Sequence, residues 1–258
     1  MRKVTATRYV TPLREGGSLP AIVEADDDGL YVLKFRGAGQ GPKALIAELV
    51  SGELARAAGL PVPEIVFIEL SEELARTEAD PEIQDLIKVS AGLNLALDYL
   101  PGSVMFNQVA DTPDEKLASS IVWFDAYITN VDRTVRNPNI LVWHKNIYLI
   151  DHGASLYFHH TWEKYIEKSG NSFGVIKEHV LLPFSESFIE ADKKMKKVLT
   201  RTVIEDIVNL IPDEWLINDS IFSSNEKHKE AYVKYLVMRL QQSESFVEEA
   251  IRARSIYF

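Results

Sequence analysis

The fold of this 258-residue chain is inferred from two stretches of sequence, NVDRTVRNPN at residues 130–139 and DHG at residues 151–153. An aspartate, Asp132, precedes an amide, Asn137, by five positions, and Asp151 follows two short apolar runs that predict a hairpin. Mg²⁺ takes one or two such oxygen ligands from a protein, while phosphate oxygens and water fill its remaining positions. The pattern therefore predicts a site for magnesium and a phosphate compound.

The specificity of this pattern lies in the combination of its parts. Aspartate and asparagine both stabilise turns, so the Asp132–Asn137 pair alone is also typical of an ordinary loop. The addition of Asp151 and Gly153 after a tight hairpin favours a functional site. Protein kinases have the same spacing: a catalytic-loop aspartate, an asparagine five positions later, and then a metal-binding aspartate before a glycine.

The composition is that of a folded chain with one large domain or two small lobes. Hydrophobic residues make up 46% of the sequence and charged residues 26%, which argues against disorder. Cysteine is absent, which excludes disulfides, thiolate zinc sites and cysteine nucleophiles. Acidic residues outnumber basic residues by 38 to 28, and the net charge of −10 disfavours direct binding of nucleic acid.

No targeting or membrane segment is expected from the sequence. The first six residues, MRKVTA, lack the apolar stretch of a signal peptide. No window approaches the roughly 20 apolar residues of a membrane-spanning helix. We therefore expect a cytoplasmic protein without a membrane partner.

The first hundred residues predict a strand-rich lobe that contains one helix. The residues DDDG at 26–29 predict a hairpin between two short apolar runs. A helix rich in Ala, Leu and Glu is predicted over residues 43–58, because Gly59 stops it and Pro61 prevents its continuation. The predicted strands are residues 4–9, 21–25, 30–35, 65–70 and 93–97.

Residues 101–258 predict a mostly helical lobe, which makes the whole chain an α+β protein with two lobes. The residues TPDE at 112–115 indicate a capping box, with its threonine as the cap and proline at the first helical position. A second capping box is predicted at residues 202–205. A linker near residues 98–105 would join this lobe to the amino-terminal lobe of residues 1–100.

A lysine in the third predicted strand is the candidate contact for nucleotide phosphates. Lys34 lies in the stretch YVLKF, where a charge without a partner would be costly. A glutamate on the following helix would orient it, and we favour Glu48, one and a half turns into that helix, over Glu53. The alternative is an edge-strand lysine that discourages aggregation.

Two further stretches are candidates for nucleotide contacts. The first consists of Gly16, Gly17 and Ser18. Glycines there would let backbone N–H groups approach phosphate oxygens, and the serine adds a hydroxyl donor, although an ordinary turn explains the stretch equally well. The second consists of Asp98, Tyr99 and Leu100. Its backbone would hold an adenine edge, although the Pro-Gly pair that follows is also typical of a plain turn.

These residues, in this order, resemble the HipA-like kinases, and specifically the short stand-alone branch of that family. The resemblance extends from about residue 12 to residue 183 and includes the glycine-rich turn, the lysine strand, residues 130–141 and the DHG turn. The segment HVLLP at residues 179–183 is also similar to this family, without an assigned role. The resemblance implies a bilobal protein-kinase-like fold, with a small β-rich amino-terminal lobe and a larger, mostly helical carboxyl-terminal lobe.

The resemblance also implies roles for the site residues. Asp132 would be the catalytic base that accepts the hydroxyl proton and orients the nucleophile. Asn137 and Asp151 would hold Mg²⁺ between the phosphates, and Lys34 would hold the α- and β-phosphates of ATP. Catalysis would then rest on positioning and charge neutralisation during in-line transfer of the γ-phosphoryl group.

The two arginines of the loop have two possible roles, and the sequence departs from protein kinases in three respects. Arg133 or Arg136 would stabilise charge on the transferring group as a catalytic residue, or either would pair with a neighbouring carboxylate. Asn130 stands where protein kinases place a histidine, and His152 replaces the phenylalanine after the metal-binding aspartate. No Ala-Pro-Glu element follows, so the substrate-side segment differs from that of protein kinases.

Together these features predict an ATP- and Mg²⁺-dependent phosphotransferase, in first place a serine/threonine kinase with a protein substrate. Three alternatives stay open: a catalytically silent nucleotide-binding module, a kinase-fold enzyme that transfers AMP or acts on a lipid or small molecule, and a magnesium-dependent phosphohydrolase. The phosphohydrolase would not use Lys34. An antitoxin-like or neighbour-gene protein is a further candidate partner, and a toxin role is not assumed.

Overall fold

Five strands close into a β-barrel within residues 1–13 and 19–98. The computed structural model describes residues 1–13, 19–217 and 221–256. The barrel has the strand order β1-β2-β3-β5-β4, with β1 and β4 parallel and the other neighbours antiparallel. The strands are β1 (Lys3–Pro12), β2 (Ala21–Ala25), β3 (Leu30–Lys34), β4 (Ile65–Leu70) and β5 (Gly92–Asp98). The five strands predicted from apolar runs are all present, and closure of the sheet is the feature that the sequence did not predict.

Along each strand the side chains point alternately into the barrel and toward its outer face. Successive side chains of a strand point to opposite faces, and β2, with the sequence AIVEA, buries every second residue. In β5, Ala96 belongs to the cluster inside the barrel, whereas Leu95 and Leu97 belong to the larger core outside it. The outer face of β5 is therefore apolar as well and is covered by other elements.

Helix α1 (Pro42–Ala57) covers this outer face and confirms the helix predicted from the sequence. It begins with a proline in its first turn, where the missing N–H costs nothing, and is followed by Gly59 at φ 75°. Gly52 lies at the contact between helix and barrel, where a larger residue would have to displace the side chain of Ile65. A Cβ atom at this position would lie 2.3 Å from Ile65 Cδ1 of β4.

The connection from β4 to β5 is helical. A 3₁₀ helix (Glu72–Thr77) is capped by the hydroxyl of Ser71, which accepts the N–H of Glu73 at 3.2 Å. Helix α2 (Pro81–Val89) follows and packs Ile83 and Ile87 against the barrel core. Its other residues are half-buried or exposed and include Glu82 and Asp85.

The rest of the chain is a helical assembly that also contains a small three-stranded sheet in the order β6-β7-β8. The strands are β6 (Val104–Met105), β7 (Ile140–Trp143) and β8 (Asn146–Leu149). The α-helices of the described residues are α3 (Glu115–Tyr127), α4 (Tyr165–Lys168), α5 (Phe188–Val198), α6 (Arg201–Val208), α7 (Asn225–Gln241) and α8 (Glu244–Arg254). The 3₁₀ helices are Tyr157–His160, Gly174–Glu178, Leu182–Phe184 and Asp213–Trp215. Part of the predicted linker at residues 98–105 is thus a strand, because β6 pairs with β7.

Both predicted capping boxes are wrong. Asp114, not Thr112, caps α3 by accepting the N–H of Leu117 at 2.9 Å. Glu115 is not free to close a box, because its carboxylate accepts the N–H groups of residues 186 and 187 on a distant segment. At α6 the cap is Thr200, two residues before the predicted one.

Two hydrophobic clusters stabilise the fold. The smaller one fills the barrel and includes Val23, Leu33 and Ile68. The larger one runs from α1 and the outer face of the barrel through α3 to the carboxyl-terminal helices, with Trp123 among its largest buried side chains. None of the helices in residues 1–13, 19–217 and 221–256 is both long and apolar enough to cross a membrane.

We expect Gly52→Val to lower the free energy of unfolding by about 1–3 kcal/mol, because the new side chain overpacks the contact between α1 and β4. Ala57→Val, at an exposed position of the same helix, is the matched control and should cost only about 0.5 kcal/mol of helix propensity. Urea titration of both variants measures the difference. Equal losses in the two variants would contradict the close packing at Gly52.

Candidate active site

Four of the side chains predicted from the sequence meet at a cavity of about 430 Å³. It lies where the end of β3, the start of α1, the loop after α3 and the turn after β8 come together. Four predicted residues line it: Lys34, Asp132, Asn137 and Asp151. The remaining lining residues, most of them small or apolar, are Phe35, Ala38, Gly39, Gln40, Ala44, Leu45, Val131, Gly153, Ala154, Tyr157 and His160.

Lys34 is the charged centre of this cavity. From the last position of β3 its Nζ donates to Glu48 Oε2 at 2.7 Å and to Asp151 Oδ1 at 2.6 Å. Burial by itself would lower the pKa of Lys34, but the attraction of the two carboxylates outweighs burial and raises the pKa above its usual value. A charged Lys34 therefore joins the barrel, helix α1 and the turn after β8.

Glu48 is fully buried and keeps its charge through this contact. Burial would raise the pKa of Glu48, yet the charge of Lys34 and the contact of Oε1 with His152 Nδ1 at 3.5 Å lower it to about 2. The competing residue, Glu53, pairs instead with Arg56 on its own helix, at 2.7 Å. Five residues are well over one helical turn, so the two glutamates point in different directions.

Asp132 is oriented by amide side chains of its own loop. Asn137 Nδ2 donates to Asp132 Oδ2 at 2.8 Å, and Asn139 Nδ2 donates to the same oxygen at 3.2 Å. The backbone N–H of Asp132 donates to Asn130 Oδ1 at 3.1 Å. The carboxylate thus lines the cavity in an orientation that three asparagines determine.

The hairpin of β7 and β8 carries Asp151 to the same place. The hairpin closes with the N–H of Ile150 donating to the carbonyl of Asn139 at 3.0 Å. Asn139 and Asp151 then adopt left-handed conformations, with φ of 48° and 55°. Asparagine and aspartate are enriched in this region of φ/ψ space, so the residue types suit the two sharp turns.

The side-chain oxygens of Asn137 and Asp151 are suitable ligands for a hard divalent cation. Asn137 turns its amide nitrogen toward Asp132, which leaves its amide oxygen for a cation. Asp151 is 44% exposed and already faces one cation, Lys34. Among the residues that the structure describes, no group of three or more histidine, aspartate and glutamate side chains could hold a metal ion by itself. Asn137 and Asp151 suit Mg²⁺, which commonly takes one or two ligands from the protein and the remainder from phosphate and water.

Arg133 does not reach the cavity, which corrects the prediction that it stabilises charge on a transferring group. Its guanidinium is buried, with Nε donating to Asp125 Oδ2 at 2.6 Å, while Nη1 donates to the backbone carbonyls of Asn139 and, at 3.2 Å, of Ile150. The alternative prediction, a pair with a neighbouring carboxylate, describes its contacts. Arg136, the other loop arginine, is exposed.

Sequence reasoning missed Asp125 and gave no role to His179. Asp125 is fully buried on α3, and His179 Nε2 lies 2.9 Å from its Oδ2. Two signals were available: an acidic residue inside the apolar run of a helix, and a histidine in a segment already similar to the family. Neither signal names a partner, because the partners are 8 and 54 residues away.

Two sets of predicted nucleotide contacts remain predictions. Gly16, Gly17 and Ser18 lie outside the described residues. Asp98, Tyr99 and Leu100 are not among the lining residues. The N–H groups of Asp98 and Tyr99 already donate to the carbonyls of Glu64 and Leu30, at 2.8 and 3.0 Å. Adenine recognition by this segment stays a prediction.

Comparison with known proteins identifies what the chain is similar to. The sequence model of the HipA-like kinases matches residues 7–249. Among curated proteins, no sequence matches the chain.

Among solved structures, the Helicobacter pylori proinflammatory kinase CtkA has a TM-score of 0.53 and 12% identity, over 100% of this chain and 99% of that chain. The Golgi casein kinase has a TM-score of 0.49 and 14% identity, over 96% of this chain and 74% of that chain. Its structure with Mn/ADP bound has a TM-score of 0.48 and 13% identity, with the same coverage. At such identities, the likeness to CtkA shows a shared fold alone.

We expect Glu48→Gln to lower the melting temperature at neutral pH, with the difference from wild type shrinking in acid. The pKa of Glu48 is lowered from 4.5 to about 2, so its charge stabilises the fold fully above pH 4.5, and this stabilisation is lost as the pH falls toward 2. Thermal unfolding at pH 7, 5 and 3 measures the effect.

Glu53→Gln, on the same helix but in a partly exposed pair, is the control and should change the melting temperature little at any pH. A Glu48→Gln difference that stayed constant down to pH 3 would contradict the depressed pKa.

Proposed function

The chain belongs to the HipA-like kinase family, and from this premise we propose that it is an ATP- and Mg²⁺-dependent kinase that phosphorylates a serine or threonine hydroxyl of a protein. The observation that carries the proposal is the convergence of Lys34, Asp132, Asn137 and Asp151 on one cavity. These residues come from three separate parts of the sequence, and they would supply a cation, a base and two metal ligands. The family by itself supports a phosphotransferase of the kinase type; the acceptor and the metal are the further steps of the proposal.

The proposed mechanism begins with the binding of nucleotide by Lys34. Its ammonium group would hold the α- and β-phosphates, and Glu48 would keep it aimed into the cavity, as their 2.7 Å ion pair supports. Asn137 and Asp151 would hold Mg²⁺. When bound, the metal ion would supply positive charge that neutralises the phosphate oxygens.

Asp132 would act on the acceptor hydroxyl. With one carboxylate oxygen held by Asn137 and Asn139, the carboxylate keeps a fixed direction. It would accept the hydroxyl proton as the acceptor oxygen bonds to the γ-phosphorus, while the bond from that phosphorus to the bridging oxygen breaks and ADP leaves with the electron pair. The small and apolar side chains around it would exclude water and so limit hydrolysis of ATP.

The architecture proposed for this reaction is the bilobal one. Residues 1–100 would form the nucleotide-binding lobe and residues 101–258 the helical lobe, with the nucleotide between them. The hydrophobic cluster inside the barrel lies wholly within the first of these lobes, which supports it as a unit, whereas the larger cluster joins the two lobes from α1 to the carboxyl-terminal helices. Gly16, Gly17 and Ser18 would cover the phosphates, and the backbone of residues 98–100 would hold the adenine edge.

The partners in this proposal are ATP, a protein substrate and, as a further candidate, an antitoxin-like or neighbour-gene protein. No direct contact with nucleic acid is expected, since the chain has a net charge of −10. The cytoplasm, where ATP and Mg²⁺ are abundant, is the proposed location.

We expect Asp132→Asn to reduce phosphoryl transfer by at least about 100-fold, because the variant keeps the shape of the side chain but cannot accept a proton. Transfer of label from [γ-³²P]ATP to a protein fraction measures the reaction. Asp206→Asn, an exposed position on α6, is the control and should leave the rate unchanged. Labelling from [α-³²P]ATP instead would indicate AMP transfer, and undiminished transfer by the variant would contradict the base assignment.

We expect ATP with Mg²⁺ to raise the melting temperature of the wild-type protein by about 5–10 °C at 100 dissociation constants, since this corresponds to roughly 2.7 kcal/mol. In Asp151→Asn most of the magnesium-dependent part of this shift should be lost, because a neutral amide replaces the charged one of the two proposed protein ligands. Thermal unfolding with ATP alone and with ATP and Mg²⁺ separates the two contributions. An equal magnesium effect in both proteins would exclude Asp151 as a metal ligand.

A further inference from the structure

The guanidinium of Arg133 connects three parts of the chain underneath the candidate active site. Nε contacts Asp125 on α3, and Nη1 contacts the carbonyl groups of Asn139 and Ile150. Asn139 stands at the start of the hairpin, and Ile150 stands at its end, next to Asp151. Arg133 itself follows Asp132. One rigid side chain is thus in contact with both ends of the hairpin and belongs to the loop that carries the proposed base.

Asp125 binds this guanidinium and also contacts the start of the loop that carries Asp132. Its Oδ2 accepts from Arg133 and from His179, and its Oδ1 accepts from Asn130 Nδ2 at 3.0 Å. Asn130 in turn accepts the backbone N–H of Asp132. The same carboxylate therefore acts on Asp132 through Asn130 and on the hairpin through Arg133.

His179 is the third side chain that donates a hydrogen bond to Asp125, and its own hydrogen bonds determine its tautomer. Nδ1 accepts the backbone N–H of Leu181 at 3.0 Å, so the ring proton lies on Nε2 and is donated to Asp125. A neutral ring leaves one negative and one positive charge in the cluster, Asp125 and Arg133. The backbone of this segment adds a further link, because the N–H of Val180 donates to the carbonyl of Arg133 at 3.2 Å.

This arrangement requires arginine rather than lysine. A guanidinium is planar and has five donors in a fixed geometry, so it can bind a carboxylate and two carbonyl groups that lie in different directions. An ammonium group in the same place would reach only part of this set, and in the interior it could not replace the lost contacts with water. The cluster is buried, so these contacts are not exchanged with solvent.

We propose that Asp125 and Arg133 form a clamp, together with Asn130 and His179, that sets the distance between the base Asp132 and the metal-binding hairpin. The members of the clamp are positioning residues, since none of them lines the cavity. This inference rests on the proposed function for its effect on catalysis. Its structural part, the fixing of the loop and the hairpin by one buried ion pair, stands on the contacts alone.

The test compares two buried arginines. Arg133→Lys is the test variant, and Arg239→Lys is its matched control, because Arg239 is equally buried and also donates to backbone carbonyls, those of Ala126, Tyr127 and Ser169 among them. Both variants should lower the melting temperature. Arg133→Lys alone should reduce kcat by about 100-fold and raise the Mg²⁺ concentration for half-maximal rate by about 10-fold, while KM for ATP at saturating Mg²⁺ stays near wild type.

A second readout uses the ligand-free protein and does not depend on activity. Amide hydrogen exchange in Arg133→Lys should become faster in residues 130–139 and 149–152 and should stay as in wild type in the barrel strands. In Arg239→Lys the faster exchange should lie instead around residues 126–127 and 169–171. Asp125→Asn should reproduce the exchange pattern of Arg133→Lys. Because it changes the other partner of the same ion pair, it tests the clamp even if Arg133→Lys folds poorly.

The outcomes separate this inference from the proposed function. A wild-type protein without phosphoryl transfer would overturn the proposed function, whereas localised exchange in the Arg133→Lys and Asp125→Asn variants would still support the clamp. Wild-type kcat and metal dependence in a folded Arg133→Lys protein would overturn the clamp, and so would exchange patterns that do not differ between the two arginine variants.

Discussion

Buried charge has to be neutralised where it lies, and this constraint organises the candidate site. Glu48 on α1 and Asp125 on α3 are both removed from solvent. Each is paired with a cation from a different part of the chain, Lys34 and Arg133. Buried ion pairs add little net stability, but leaving one partner alone in the interior costs several kcal/mol. We infer that their main effect is to exclude other arrangements of the loops that carry them.

The two ion pairs meet at Asp151. Lys34 contacts its carboxylate at 2.6 Å, and Arg133 contacts the carbonyl of the preceding residue, Ile150. The turn after the hairpin is therefore held from the barrel on one side and from the loop after α3 on the other. In the proposed function, a metal ion bound by Asp151 would compete with Lys34 for the same carboxylate, and this competition would couple metal binding to the release of Lys34 toward phosphate.

The sequence predicted correctly those features that depend on residues close together in the chain, and it failed where the contacts are between distant residues. The barrel strands and α1 were predictable, because alternation, Gly59 and the turn at residues 26–29 act within a few residues. The cap of α3 was predicted at Thr112 and lies at Asp114, because Glu115 bonds a segment about 70 residues away. The same limit explains Arg133, which in sequence is indistinguishable from a catalytic arginine and in the fold is buried against Asp125.

The sequence by itself determined the residue types of the site and their order: a lysine on a strand, a glutamate on the next helix, and an aspartate, asparagine and aspartate around a hairpin. These depend on local spacing, which a hairpin or a helix converts directly into position. The folded chain alone shows which glutamate meets Lys34, where the guanidinium of Arg133 points, and that Asp125 and His179 contact the loop. Those outcomes depend on burial and on partners distant in the chain, and neither quantity is contained in the spacing of neighbouring residues.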